Sequence, residues 1–391
     1  MTLGDNLQFF ISCPPGLESL LIKECKSLSF SNKNQKQHPA HPEKSIPGED
    51  VGGQLFEGNL SDIYRANLSL RIASRIVIRL GEFISITFAE LRKKASKLAW
   101  EHYIRPGQSV NIRTVCHKSR LYHSDAVSER IVNAINDHFS TSSKPISPVH
   151  QSPDGQLVLV RLVNDTCTIS IDSSGDPLYK RGYKLAVTKA PLRENLAAAM
   201  VAFSGWDGIN PLIDPFCGSG TIPIEAALIA SQTPPGIARN FSFTHWPVFD
   251  EAIYHSVKEN SLKEIKVDHS KIFGYDRDAG AIDSSKENAA RAGQKDTITF
   301  VQQSVSFLDS PSPQGTIITN PPYGIRISGN KDLRDLYSRF GSILREKFLG
   351  WKLTLLSPDV HLSSNLRIGR PVEELHFSNG GIPVSLLKFL L

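Results

Sequence analysis

The stretch Leu212–Ile229, LIDPFCGSGTIPIEAALI, constrains the fold of this chain more than any other. It begins with a short apolar run, reaches the acidic residue Asp214 and continues into a turn with two glycines, followed by an alanine-rich amphipathic segment. This order predicts a strand, a glycine turn and a helix. In α/β sheets such a unit places a nucleotide-like ligand at the carboxyl end of a parallel strand, against the amino terminus of a helix.

The glycine turn also predicts what kind of ligand binds. It lacks the Lys-Ser/Thr pair of a phosphate-binding P-loop, and it lacks the full GxGxxG spacing of a dinucleotide site. We therefore expect a nucleoside without a triphosphate or pyrophosphate, a description that S-adenosylmethionine fits. A tight turn without a ligand is the alternative for this motif alone. The residues predicted to bind the cofactor here are Asp214, Pro215, Phe216, Cys217, Gly218, Ser219, Gly220 and Thr221.

A second short run, NPPY, follows the β-branched segment Gly315–Thr319, which predicts a strand. Two prolines stop the strand and fix a rigid turn, so an amide and an aromatic ring are presented at a strand end. An asparagine amide can bind an exocyclic amine, and a tyrosine ring can stack on an extruded base. Alone, the run would be an Asn-capped turn with a core tyrosine. With the glycine turn, it predicts the catalytic residues Asn320, Pro321, Pro322 and Tyr323, and Asn320 is also predicted to contact the cofactor.

The segment Ile272–Asp276 predicts the next parallel strand of the same sheet. It ends in a carboxylate, which can accept hydrogen bonds from both hydroxyls of a ribose. We therefore predict that Asp276, with the adjacent Arg277, binds the cofactor. Asp278 is the better candidate for the N-cap of a helix predicted at Ala279–Ala292.

The combination of DPFCGSG and NPPY resembles the amino-methyltransferases that modify an exocyclic nitrogen of a nucleobase with S-adenosylmethionine. A closer resemblance is to the THUMP-domain RNA guanine-N2 methyltransferases. These include the bacterial 23S rRNA guanine-N2 enzyme, whose amino-terminal half is similar to this chain. The resemblance covers nearly the whole chain, and it is carried by Leu70–Arg75, Ser173, Gly175–Leu178, Arg181–Tyr183, Ala190–Ala199 and Ser204–Trp206.

The resemblance implies an α/β fold made of three units. A Rossmann-like S-adenosylmethionine-dependent methyltransferase domain, with a seven-stranded and mostly parallel sheet, is expected after a ferredoxin-like module and a THUMP domain. The predicted ranges are 1–57 for the ferredoxin-like module with a flexible insertion at 30–53, 58–172 for the THUMP domain, 173–189 for a linker and 190–391 for the methyltransferase domain. The residues themselves predict a short strand at Gln54–Phe56, paired with the first strand of the chain, and a helix from Asn59 to Ser74.

The resemblance also implies further cofactor contacts. Ala190 and Pro191 are expected to enclose the methionine end of the cofactor. After the predicted strand Ile298–Gln302, the family usually has an aspartate that holds the adenine amino group, whereas this chain has Gln303 and Ser304. Either side chain can still hydrogen-bond adenine, so both are predicted to bind the cofactor.

The net charge of +5 is unevenly distributed. Residues 61–190 hold 19 Lys and Arg against 11 Asp and Glu, while the segments before and after are slightly acidic. Such an asymmetry favours a polyanionic partner, although an ordinary solvated surface is the alternative. In the basic, aromatic-bearing loop Cys116–Ser124 we predict that Lys118, Arg120 and Tyr122 bind RNA. Arg181 is a fourth candidate, since the family places its linker beside the catalytic pocket.

Other classes of protein are disfavoured. With 40% apolar and 21% charged residues the chain is typical of soluble globular proteins, and no apolar run or leader predicts membrane insertion or secretion. The five cysteines form no CxxC pair, so we expect neither a metal site nor disulfides. The expected location is therefore a reducing cytoplasm. His38 and His41 have no partner at ligand spacing and are interpreted as polar loop residues.

We therefore expect S-adenosylmethionine-dependent methylation of a guanine N2 amine in RNA, with rRNA as the expected substrate and tRNA as an alternative. Two further alternatives stay open. An adenine-N6 DNA methyltransferase could use the same NPPY motif, and a non-catalytic RNA-binding protein could result from decay of the cofactor site at Gln303 and Ser304.

Overall fold

Two seven-stranded sheets organise the described part of the chain. The structure is a computed structural model, and it describes residues 6–30, 52–140, 149–185, 192–267, 271–323, 330–358, 360–379 and 381–391. Ala190, Pro191, His38 and His41 and most of the insertion predicted at 30–53 lie outside these ranges. Within them, no helix is both long and apolar enough to cross a bilayer.

The first sheet has the strand order β2-β1-β3-β7-β6-β4-β5. The short strand predicted at Gln54–Phe56 does pair antiparallel with the first strand, with Phe9 opposite Phe56. The predicted boundary at residue 57 falls inside β2, one residue before the strand ends at Gly58, and it stays a prediction. The elements are β1 Leu7–Ser12, α1 Glu18–Ser27, β2 Gly53–Gly58, α2 Leu60–Ser69, β3 Arg75–Ile84, α3 Phe88–Ala95, β4 Ser109–His117, α4 Ser124–Ser140, β5 His150–Gln151, β6 Gln156–Val163 and β7 Thr166–Asp172.

The helix expected from Asn59 to Ser74 ends earlier, at Ser69. Asn59 begins it with a capping box, in which its side chain accepts a hydrogen bond from the Asp62 amide. At Leu70 the backbone becomes extended, and the Arg71 and Ile72 amides donate to the carboxylate of Glu24 on α1. This long-range contact ends the helix, and its partner lies 47 residues away from Arg71.

The second sheet has the order β10-β9-β8-β11-β12-β14-β13, and only β14 runs against the others. A seven-stranded, mostly parallel sheet with one antiparallel strand is therefore confirmed. The strand order reverses beside β8, and the crevice at such a reversal is where α/β sheets bind ligands. The elements are α5 Glu194–Ser204, β8 Leu212–Asp214, α6 Thr221–Ala230, α7 Glu251–Lys263, β9 Ile272–Asp276, α8 Ala279–Arg291, β10 Ile298–Gln302, β11 Thr316–Thr319, α9 Asn330–Lys347, β12 Lys352–Ser357, α10 Val360–Ser364, β13 Glu373–Asn379 and β14 Ile382–Leu390.

A polar joint fixes the two sheets relative to each other. From the first half, the Arg71 guanidinium donates to the carbonyls of Leu228 at 3.0 Å and Thr233 at 2.7 Å. The Gly236 amide donates in the other direction, to the Leu68 carbonyl at 2.9 Å. Since hydrogen bonds from a partly buried charged group are costly to break, these contacts hold the halves in one orientation.

Gly341 tests the packing of α9, the helix that follows the NPPY segment. A Cβ atom at this position would lie 1.9 Å from the backbone oxygen of Leu366. Glycine to alanine within a helix ordinarily stabilises by about 0.5–1 kcal/mol. For Gly341→Ala we expect the opposite effect. The free energy of unfolding should fall by about 1–3 kcal/mol, because the helix has to move away from a backbone atom. Urea unfolding measures the difference. Glu346→Ala, at an exposed position of the same helix, is the control and should change stability by less than about 0.5 kcal/mol. A stabilised Gly341→Ala variant would contradict this packing.

Candidate active site

The ends of β8 and β11 meet at a buried carboxyl group. Asp214 is 1% exposed, and its Oδ1 accepts hydrogen bonds from the Thr319 hydroxyl at 2.7 Å and the Phe216 amide at 3.1 Å. Burial, together with the charge of Asp276, raises the pKa of the Asp214 carboxyl from 3.8 to about 7, although the two hydrogen bonds oppose the shift. Thr319 stands directly before the NPPY run, so this bond connects the two motifs. Thr319 was not predicted from the sequence, where the only signal for it was a hydroxyl residue next to the motif.

The glycine turn brings α6 close to the strand ends. Gly218 and Gly220 both have positive φ angles, +53° and +81°. At Gly220 a Cβ atom would also lie 2.9 Å from the Ser285 Cβ, so the position has no room for a side chain. Within the described residues, no side chain caps the first turn of α6. Its amide groups and the positive end of the helix dipole therefore suit an electron-rich ligand group.

Asp276 at the end of β9 is hydrogen-bonded to the glycine turn. Its Oδ2 accepts from the Gly218 amide at 3.0 Å and its Oδ1 from the Asp278 amide at 3.0 Å. Each carboxylate oxygen can accept a second bond, so the group can still receive ribose hydroxyls. Asp278 caps α8 by accepting from the Ala281 amide, as expected. Arg277 is exposed, and its carbonyl accepts a bond from the Gln302 side chain.

Asn320 presents an unpaired acceptor beside these groups. Its Oδ1 is buried and has no hydrogen-bond partner among the described residues. Pro321 is buried, while Pro322 and Tyr323 are half-buried at the end of a described range. A buried acceptor without a partner costs free energy, so its retention at a strand end is the mark of a site that binds a donor.

Gln303 and Ser304 lie at the neighbouring strand end, but their side chains contact their own turn. The Gln303 amide group donates to the Phe307 carbonyl at 3.1 Å, and the Ser304 hydroxyl accepts from the Ser306 amide at 3.4 Å. Phe307 in the same turn is 74% exposed. Phe307 was not predicted from the sequence, although an aromatic residue so close after a predicted strand end was a signal for it. A flat ligand group would cover such a ring.

Lys118, Arg120 and Tyr122 lie together in a loop of the first half. The backbone of the loop is held to the β6–β7 turn, because the Arg120 amide donates to Asp165 Oδ1 at 2.7 Å. The side chains remain accessible, with Lys118 exposed, the Arg120 side chain 70% exposed and Tyr122 69% exposed. An anchored loop with exposed cationic and aromatic side chains suits a nucleic acid.

The predicted RNA contact at Arg181 is wrong. This residue is 3% exposed, and its guanidinium donates to the backbone carbonyls of Leu178 and Arg71. Its Nε also lies 3.6 Å from the carboxylate of Glu225, which is fully buried. Arg181 therefore belongs to the joint between the halves, where RNA has no access to it.

The residues at the strand ends offer groups that suit S-adenosylmethionine. Asp276 is placed for ribose hydroxyls, the glycine turn leaves space for a backbone contact, and the unpaired Oδ1 of Asn320 is available to a donor. Roles in cofactor binding and catalysis for all of these residues stay predictions, including those of Ala190 and Pro191.

Comparison with known families identifies the parts of the chain. Residues 181–388 match the RMKL-like methyltransferase domain, residues 86–172 the THUMP domain and residues 49–77 the RlmL ferredoxin-like domain. The first match covers more than half of the chain, which therefore belongs to the RMKL-like methyltransferase family. The family is one of S-adenosylmethionine-dependent enzymes, so the expected fold class and cofactor are both confirmed.

Individual relatives agree with this assignment. The chain is 29% identical to a candidate RNA methyltransferase of Synechocystis, over 98% of this chain and 96% of that protein. It is 31% identical to the ribosomal RNA large subunit methyltransferase K/L of Aeromonas hydrophila, where 98% of this chain spans only 54% of the longer protein. Among solved structures, SMU.472, a candidate methyltransferase in complex with SAH (S-adenosylhomocysteine), matches with a TM-score of 0.87 and 28% identity, over 99% of both chains.

Replacing Asp214 with asparagine tests the buried carboxyl. Folding raises the pKa of the Asp214 carboxyl, so the protonated carboxyl stabilises the folded state. This stabilisation is fully present below about pH 4 and is lost as the pH rises through about 7. Asparagine stays neutral, so the free energy of unfolding of Asp214→Asn relative to wild type should rise by about 2–3 kcal/mol from about pH 5 to about pH 8. Urea unfolding of the free proteins measures it, and a difference independent of pH would contradict the raised pKa.

Proposed function

We propose that this member of the RMKL-like methyltransferase family methylates the exocyclic N2 amine of a guanine in RNA, with S-adenosylmethionine as methyl donor and large-subunit rRNA as substrate. The observation that carries the proposal is the buried, unpaired Oδ1 of Asn320 beside the glycine turn and Asp214. An RNA substrate is supported by the THUMP domain, by the basic loop and by the names of the Synechocystis and Aeromonas relatives.

The side chains would act mainly by positioning. S-adenosylmethionine supplies an electrophilic methyl group when it is bound. Asn320 Oδ1 and the carbonyl of Pro321 would accept the two hydrogens of the guanine amine. The lone pair of an aromatic amine is delocalised into the ring, and accepting both hydrogens localises it on nitrogen. The Tyr323 ring would stack on the extruded base.

The framework around Asn320 supports this role. The preceding residue is tied to Asp214 by the buried Thr319 bond, and two prolines follow. The backbone that carries the Asn320 amide is therefore held in place, and a fixed position is the condition for positioning to contribute to the rate. A strong general base is not required, since the nitrogen loses its proton readily once it is methylated.

Asn320→Ala tests the catalytic assignment. We expect incorporation of labelled methyl from S-adenosylmethionine into RNA to fall by a factor of about 100 to 1,000, because one acceptor for the amine is lost. Binding of S-adenosylhomocysteine should persist, within a factor of about ten. Asn365→Ala, which removes a half-buried, hydrogen-bonding asparagine directly after α10, is the matched control and should keep full activity.

Identification of the labelled nucleoside decides the substrate. N2-methylguanosine in large-subunit rRNA supports the proposal. The same nucleoside in tRNA would identify tRNA, and not rRNA, as the substrate. Label in N6-methyladenine of DNA would overturn the proposal in favour of a DNA methyltransferase. Wild-type protein that neither transfers methyl groups nor binds S-adenosylhomocysteine would indicate an RNA-binding protein.

The basic loop makes a separate prediction for RNA binding. Lys118→Ala and Arg120→Ala should each remove about one ionic contact with RNA, so the slope of log affinity against log salt concentration should become less steep by about one contact. Tyr122→Ala should weaken RNA binding by about 1–3 kcal/mol and leave this slope unchanged. Titration of fluorescent rRNA fragments at several salt concentrations measures both. Lys263→Ala on α7, an exposed lysine of the other half, is the control. Equal effects of the loop variants and the control would exclude the loop as an RNA contact.

A further inference from the structure

The polypeptide between the two halves contacts two helices of the second half, α6 and α8. We call residues 173–185 the strap, since they lead from β7 towards α5. Within the strap, Tyr183 is 4% exposed. Its hydroxyl donates to Glu225 on α6 at 3.0 Å, and its carbonyl accepts from Arg291 Nε on α8 at 2.8 Å. One strap residue thus contacts α6, the helix that follows the glycine turn, and α8, the helix that follows β9.

Arg291 also contacts a buried amide. Its Nη2 donates to Asn288 Oδ1 at 2.6 Å, and the Asn288 Nδ2 donates to the backbone carbonyl of Ser219 at 3.0 Å. Asn288 is fully buried, and Ser219 is the middle residue of the glycine turn. A chain of hydrogen bonds therefore runs from the strap, through Arg291 and Asn288, to the turn.

Arg291 determines which way the Asn288 amide faces. A guanidinium can only donate, so it has to meet the oxygen of the amide, and the NH2 group is left facing the turn. The Ser219–Gly220 peptide is then held at both ends, because its oxygen accepts from Asn288 and its N–H donates to the Cys217 carbonyl at 2.8 Å. Without Arg291, a rotated amide would place oxygen against oxygen at Ser219.

We propose that Arg291, supported by Tyr183, is a positioning residue that fixes the glycine turn in the shape that binds the cofactor, by orienting Asn288. The proposal rests on the proposed function for the identity of the cofactor. Arg291 is partly exposed, with 31% of its side chain accessible, so its replacement leaves the buried core intact.

The test compares Arg291→Ala, Arg291→Lys and wild type. Calorimetry with S-adenosylhomocysteine should show an affinity about tenfold lower for Arg291→Ala, because the amide is no longer oriented. Arg291→Lys keeps a donor for Asn288 and should restore part of the loss. In turnover, the KM for S-adenosylmethionine should rise while kcat and the KM for RNA stay near their wild-type values.

A matched control separates positioning from loss of stability. Arg345→Ala removes an arginine that likewise anchors a helix to backbone carbonyls, those of Leu366 and Arg367, away from the turn. It should leave the affinity unchanged even if the melting temperature falls. Amide hydrogen exchange of the free protein gives a second readout, in which Gly220 should exchange faster in Arg291→Ala only.

Two outcomes would overturn the inference. If Arg291→Ala binds S-adenosylhomocysteine as wild type does and its Gly220 amide exchanges at the wild-type rate, Arg291 has no positioning role. The proposed function is not affected by that result, because it depends on the binding and activity of the wild-type protein. If wild type itself binds no S-adenosylhomocysteine, the proposed function fails and the inference about the cofactor turn fails with it.

Discussion

The hydrogen bond between Thr319 and Asp214 lies at the place where the order of the parallel strands reverses. It joins β8 to β11, the strands that lead into the glycine turn and into the NPPY segment. The bond is fully buried, so water does not compete for either group. The glycine turn and the NPPY segment therefore keep one relative position. The raised pKa of Asp214 indicates that this arrangement has a cost in stability, which the surrounding packing offsets.

Local patterns in the sequence predicted the elements that carry the site. Glycines at positive φ, a strand followed by two prolines and an aspartate at a strand end each have a short-range cause, so the strands at Ile272–Asp276 and Ile298–Gln302 were predicted with their observed bounds. The roles assigned to these residues in binding and catalysis are not settled by the fold, and they stay predictions.

Contacts between distant parts of the chain were not predictable in this way. A basic residue in a polar linker has the same local pattern whether it faces solvent or a buried carboxylate, and Arg181 was wrongly placed at the surface for that reason. The helix expected to reach Ser74 ended early because of Glu24, on another helix. Asn288 and Arg291 looked like ordinary residues of an amphipathic helix, since their partners lie 69 and 108 residues away.

The joint formed by Arg71 and Gly236 has a consequence for which RNA molecules can be modified. Because it holds the halves in one orientation, the separation between the loop at Tyr122 and the crevice at Asn320 is fixed. Under the proposed function, an RNA can bind the loop and the crevice at the same time only if its own folded shape presents the target base at that separation from the segment bound to the loop. Selection of the nucleotide then depends on RNA tertiary structure more than on the bases next to the target, and an unfolded RNA of the same sequence would be a poor substrate.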